Sequence, residues 1–241
     1  MGRVRDALVL LHGFTQTRQS WRLAVRELGG RYRALAPDLP GHGQAADRRP
    51  VSFAACTAYV RALAPERFTL CGYSMGGRIA LHAALHLPGQ VERLVLMGAS
   101  PGLADPGERE RRRAADEALA ERIEAIGVEA FAREWGALPL FAGQPERVAA
   151  AAHADRMGNT AEGLAAALRG LGTGTMEPLW DRLGELTMPV TLVVGERDEK
   201  FLGIAQRMEE ALPSASVVVV GGVGHAVHLE HPAVLREVLA G

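Results

Sequence analysis

Ser74 lies in Gly72-Tyr73-Ser74-Met75-Gly76, with a short apolar run at 68–71 before it and a helically spaced run at 78–87 after it. A strand, a tight turn and a helix in that order hold a serine at a bend, its hydroxyl projecting over the sheet edge, and Gly72 and Gly76 leave room for the crowded backbone. A hydroxyl is a weak base or nucleophile until an imidazole takes its proton, and the imidazole needs an acid that fixes its tautomer. Of eight histidines, His225 follows Gly222-Val223-Gly224 just past the last apolar run, where a loop can deliver a ring to the sheet edge. The acid is expected from the loop after the run at 190–194, in Gly195-Glu196-Arg197-Asp198, and Asp198 is preferred to Glu196. Negative charge developing beside Ser74 needs donors. The N–H of Met75, at the helix start, and that of Phe14, which Gly13 lets turn toward the same point, are expected to supply them.

Other polar residues carry less. His12 reads as a loop brace, and Asp38-Leu39-Pro40-Gly41-His42-Gly43 as a turn that organises the edge of the site. His225, His228 and His231 recur at spacings of three, but no nearby acid completes a metal site and Pro232 opens a new helix, so no metal is expected. His82 and His86 read as helix surface or packing residues. Cys56 and Cys71 are too few for a disulfide framework and are expected to pack as small apolar residues.

The elements that must position these groups recur regularly. Strand-length apolar runs fall at 7–11, 34–36, 68–71, 91–97, 190–194 and 217–220, and helical spacing at 21–28, 53–63, 78–87, 204–212 and 234–239. Strands alternating with helices predict an α/β fold with a mostly parallel, doubly wound sheet. The interval from 100 to 188 is too long for one crossover helix and reads as helical at 108–126, 128–135, 146–157 and 161–170. A helical cap inserted after the strand ending near Met97 is therefore expected, with residues 1–100 and 181–241 as core and 101–180 as cap, over the carboxyl edge where open α/β sheets bind ligands.

With 241 residues, 48% of them hydrophobic and 23% charged, the chain has the composition of a globular protein. Lys+Arg 27 against Asp+Glu 28 leaves a net charge of −1, which gives no general attraction for nucleic acid. The run at 7–11 is far shorter than a signal core or a membrane span, so a cytoplasmic protein is expected, a monomer or small homo-oligomer.

The Gly13 loop, the Asp38 to Gly43 turn, the Ser74 elbow, the Asp198 loop and Gly224-His225 together resemble the α/β-hydrolase superfamily over nearly the whole core. The chain order Ser74, Asp198, His225 is the order of that fold. More specifically, Gly72 to Arg78, Arg112-x-x-x-Asp116, Phe131 to Trp135 before Pro139-Leu-Phe141, Gly163 to Gly174, Gly195 to Phe201 and Gly224 to Pro232 are similar to the MenH family of menaquinone biosynthesis, the 2-succinyl-6-hydroxy-2,4-cyclohexadiene-1-carboxylate synthases. The resemblance implies a lyase without cofactor that eliminates pyruvate from a small polycarboxylate. Ser74, deprotonated with help from His225 and Asp198, would remove a ring proton, and the charge delocalised onto the succinyl carbonyl would face Phe14 and Met75. It also implies substrate contacts from Arg78, Arg112, Arg156, Tyr73 and Trp135.

A multiply charged substrate needs fixed cations. Arg78 falls one helical turn after Ser74, where its fork can meet a carboxylate. The run at 108–113 otherwise reads as a solvated helix face, Arg156 as surface and Trp135 as cap core; Arg169 and Lys200 are further cation candidates. The alternatives are a carboxylesterase or carbon-carbon-bond hydrolase with the same three residues, or a ligand-sensing receptor on the same fold. Few residues precede the first run, so a sheet of about six or seven strands is expected.

Overall fold

The structure is a computed structural model describing residues 6–240; the charged opening at 1–5 lies outside the described residues. Among these, six strands form one sheet: β1 (Ala7–Leu11), β2 (Arg33–Leu35), β3 (Phe68–Tyr73), β4 (Val91–Met97), β5 (Val190–Gly195) and β6 (Ala215–Val220). All pairings are parallel, in the order β2-β1-β3-β4-β5-β6. The order reverses between β1 and β3, so their carboxyl ends open a crevice at a topological switch point. Ser74 follows β3 and Phe14 follows β1 at that crevice.

Strands covered on both faces lose the apolar-polar alternation of a half-exposed sheet, which is why β1 and β5 are apolar and buried almost throughout. Alternate side chains fill two cores. Val9, Leu11, Leu70, Leu94, Leu96 and Leu192 pack against α2 (Phe53–Leu63), α3 (Met75–His86) and α7 (Glu199–Ala211). Leu8, Leu10, Cys71, Val95, Met97 and Val193 face α1 (Arg22–Glu27), α8 (Val227–Glu230) and α9 (Val234–Ala240). Cys56 and Cys71 are free and buried in these cores, and burial raises both thiols, that of Cys56 to about 12.

Between β4 and β5 lie α4 (Pro106–Gly136), α5 (Glu146–Arg156) and α6 (Ala161–Leu171). The helical stretches read at 108–126 and 128–135 are one run with a break at Gly127, whose φ of 75° suits glycine. Leu164, Ala165 and Leu168 of α6 pack on Ala120, Ile123 and Phe131 of α4, a small core of their own. Met176 and Leu179, in the segment read as cap, pack against the sheet core on the α3 side, as does Leu171 of α6.

Helix α7 begins at Glu199, five residues ahead of the apolar spacing read at 204–212. No helix among the described residues is long and apolar enough to cross a membrane.

Candidate active site

Ser74 has φ 50° and ψ −110°, a left-handed backbone that L side chains avoid and that typically costs about 1–3 kcal/mol. The bend is held by the Ser74 N–H donating to Met97 O at 2.9 Å and by the Arg78 N–H returning to Ser74 O at 3.1 Å. A Cβ on Gly72 would lie 2.3 Å from Gly76 O, and one on Gly76 would lie 2.2 Å from Leu11 O. The sharp turn therefore needs both glycines. Met75 is the first residue of α3, where backbone N–H groups have no acceptor within the helix.

His225 Nε2 lies 3.3 Å from Ser74 Oγ, and His225 Nδ1 lies 2.6 Å from Asp198 Oδ2. Imidazole and carboxylate are both buried. With Asp198 ionised, Nδ1 carries the proton and Nε2 presents its lone pair to the hydroxyl. Phe201 and Tyr73 pack on the imidazole with ring centroids 4.6 and 5.3 Å away, which limits its rotation. Glu196, the other acid of this loop, accepts the Gly222 N–H at 2.8 Å in an exposed position.

A cavity of about 730 Å³ opens over Ser74 and His225, with Phe14, Met75, Arg78, Arg112 and Trp135 on its wall. This volume suits a small-molecule ligand. Phe14 packs edge-on against Trp135 at 5.2 Å and Phe131 at 6.4 Å, joining the first loop to α4. Arg78 donates to Leu171 O at 2.7 Å. Burial, followed by the neighbouring Arg112, pulls it from 12.5 down to about 10 while Asp116 opposes, so it remains a cation at neutral pH. Arg112 Nε donates to the buried Asp116 at 2.8 Å.

Two residues implied by the resemblance lie elsewhere. Tyr73 ends β3 on the same side as Cys71, and strand alternation sends its ring into the core beneath His225, not onto the cavity wall. Arg156, for which the sequence alone also suggests a surface position, is only 5% exposed at the end of α5; its guanidinium sits 5.3 Å from the Phe141 ring, and it too is off the wall. Burial lowers its pKa, with Tyr73 and Asp155 opposing. Asn159 fixes this corner by donating to Thr15 O at 2.8 Å and accepting the Gly43 N–H at 3.0 Å.

The other histidines divide by surroundings. His12 donates from Nδ1 to Gly13 O at 2.9 Å and accepts the Leu39 N–H on Nε2 at 3.0 Å, bracing the first loop, and burial lowers its pKa to about 4. Asp38 holds the adjoining turn by accepting the N–H groups of Arg18 and Gln44 at 2.7 and 3.0 Å. His228 is buried between Trp21 and Tyr73, whereas His231 pairs with Glu237. His82 stacks on Phe53, and His86 Nδ1 bonds His82 O at 2.7 Å. No group of three His, Cys, Asp or Glu residues among the described residues could hold a metal. Arg169 pairs with Glu117 and Glu124, tying α6 to α4.

Sequence reasoning missed Arg207, Trp180 and Glu230. Arg207 and Trp180 line the cavity, as does Lys200, while Glu230 ties together the loops that carry Asp198 and His225.

A parallel sheet with a strained serine at the switch point, and an acid and a histidine from the last two strand-end loops, defines an α/β hydrolase; over residues 8–238 the chain matches the alpha/beta hydrolase family and belongs to it. Within that family it belongs with the 2-succinyl-6-hydroxy-2,4-cyclohexadiene-1-carboxylate synthases. It is 37% identical to a putative synthase of that name from Bacillus subtilis (strain 168), over 98% of this chain and 89% of the relative. It is 34% identical to the synthase of Salmonella schwarzengrund (strain CVM19633), over 97% of this chain and 92% of the relative. Its fold superposes on the structure of MenH from S. aureus with a TM-score of 0.92 at 31% identity, covering 99% of this chain and 94% of that one.

Proposed function

We infer that this chain is a carbon-oxygen lyase of menaquinone biosynthesis. It eliminates pyruvate from 2-succinyl-5-enolpyruvyl-6-hydroxy-3-cyclohexene-1-carboxylate, leaving 2-succinyl-6-hydroxy-2,4-cyclohexadiene-1-carboxylate. The observation that carries this reading is that Ser74 and His225 share one cavity with Arg78 and Arg112. An esterase pocket for apolar esters has no use for guanidinium groups beside its serine, whereas a polycarboxylate needs them.

In the proposed reaction His225 takes the Ser74 proton, with Asp198 holding the imidazole. The serine oxygen removes a ring proton from the substrate. The electron pair delocalises onto the succinyl carbonyl, whose oxygen accepts from the N–H groups of Phe14 and Met75. The pair then returns to form the new ring double bond as the carbon-oxygen bond to the enolpyruvyl group breaks. The departing enolate takes a proton and becomes pyruvate.

Arg78 and Arg112 hold substrate carboxylates, and Trp135 forms the apolar wall. Tyr73 supports the imidazole from beneath, and Arg156 adds positive potential behind the wall. Residues 101–180 act as a cap over the core of 1–100 and 181–241. The enzyme works in the cytoplasm as a monomer or small homo-oligomer.

The test supplies the purified chain with the elimination substrate, generated in place, and follows pyruvate release beside cleavage of a p-nitrophenyl ester. Rapid pyruvate release with poor ester cleavage is expected. The reverse would replace the lyase by an esterase.

A further inference from the structure

We propose that Lys200 and Arg207, on one face of α7, form a second carboxylate site in this cavity, separate from that of Arg78 and Arg112. This rests on the lyase reading for the identity of the ligand, though not for the anion site itself.

Residues 200, 204 and 207 recur at intervals of four and three, which places them on one side of a helix. All three line the cavity that contains Ser74 and His225. Ala205 and Met208 turn the other way into the core, so the orientation of α7 is fixed. Phe201, next to Lys200, touches the His225 ring, which brings this stretch of the helix beside the reacting groups.

Arg207 is prepared to bind. Its guanidinium carbon sits 4.3 Å over the Trp180 ring, and Trp180 Nε1 donates to Gly102 O at 3.0 Å, which holds the indole in place. A guanidinium held over an aromatic ring by cation–π attraction still has its in-plane N–H donors to offer to the two oxygens of a carboxylate.

Neither Lys200 nor Arg207 forms an ion pair among the described residues. Arg67, Arg122, Arg133, Arg169, Arg182 and Arg236 each have a carboxylate partner. Glu209, on the same helix, is engaged by the Val217 N–H at 3.0 Å.

The charge balance of the ligand asks for such a site. Its name describes three carboxylates, one on the ring, one ending the succinyl chain and one on the enolpyruvyl group. Arg112 already spends its Nε on Asp116, whereas Arg78 has no carboxylate partner among the described residues. Three anions on one small molecule are better matched when α7 adds two more positive charges.

The test compares wild type with Lys200→Met/Arg207→Met, which keeps the apolar stems, at constant ionic strength. In pyruvate release the double variant is expected to raise KM about tenfold or more, with a smaller change in kcat, and Lys200→Arg/Arg207→Lys should restore most of the loss. In parallel, the dicarboxylate succinate is titrated while Tm is followed, and the variant should show a smaller succinate-induced rise. Unchanged KM together with an unchanged succinate response would overturn the site. Absence of pyruvate release by wild type, with the succinate difference intact, would overturn the lyase reading and leave the anion site standing.

Discussion

Arg197 donates to the carboxylate of Glu230 across 3.0 Å, and this pair fastens together the two loops that end in Asp198 and His225. Arg197 directly precedes Asp198. Glu230 also accepts the N–H of Gly224, directly before His225, at 3.1 Å. The same pair reaches the inserted helices, since Arg197 donates to Gly143 O at 3.2 Å and Gln144 to Glu230 at 3.4 Å. The Glu230 side chain is only 3% exposed, while that of Arg197 is 41% exposed, so the pair runs from the interior to the surface.

Replacing Glu230 by Ala leaves the Gly224 N–H and the Arg197 guanidinium without their acceptor. Stability should fall by about 1–3 kcal/mol in urea denaturation. If the pair also sets the distance between His225 and Asp198, kcat for pyruvate release should drop about 10 to 100-fold with a smaller change in KM. Glu230→Gln, which keeps an acceptor for Gly224, should recover part of both losses. Loss of stability at unchanged kcat would reduce the pair to a structural tie.

Ser74→Ala removes the proposed base while leaving the Met97 and Arg78 backbone bonds that hold the bend. Pyruvate release should fall by a factor on the order of 10⁴ or more, with Tm within a few degrees of wild type. Asp198→Asn should produce a loss of similar size for a different reason. An amide at 2.6 Å favours the wrong imidazole tautomer and turns the Nε2 proton toward Ser74. Turnover close to wild type in either variant would remove that residue from the reaction.

Arg78→Ala tests the cation next to Ser74. Loss of a charged hydrogen bond to substrate should lower kcat/KM by the equivalent of about 1.5–3 kcal/mol. Arg78 also donates to Leu171 O, so a parallel thermal melt separates lost binding from disturbed packing between α3 and α6. A full catalytic effect at unchanged Tm assigns Arg78 to the substrate.

How much of this was legible without coordinates depended on range. Buried parallel strands announce themselves as continuous apolar runs, and Ser74, Asp198 and His225 each stand just past such a run beside glycines, so local pattern suffices to pick them out. Tyr73 shows where a motif stops informing: the family resemblance implies a substrate contact, but strand parity with Cys71 sends its ring into the core beneath His225. Arg207 is one arginine among many until the first turn of α7 is known to begin at Glu199, which puts it in line with Lys200. Glu230 reads as a polar residue between histidines, because its partner Arg197 lies 33 positions away and only the tertiary fold brings them together.

The buried histidines make stability depend on pH with a definite sign. Burial lowers His12 from 6.5 to about 4 and His228 from 6.5 to about 3, so both stay neutral in the folded protein where their unfolded counterparts take up protons. The unfolded state thus binds more protons below pH 6.5, and stability must fall as pH drops from about 6.5 toward 4 and 3. Linkage gives a loss of about 2 kcal/mol per histidine by about pH 5. Urea denaturation at pH 7.5 and about pH 5 measures their sum together with the same-sign contributions of His42 and His82, whose pKa values burial also lowers. Among the described residues His228 has no hydrogen-bond partner on either ring nitrogen, and it rests between two aromatic rings, so His228→Phe keeps the packing and removes one titrating group. The variant should lose about 2 kcal/mol less than wild type over the same interval. An equal loss in both proteins would mean that His228 is protonated, or reached by water, in the folded state.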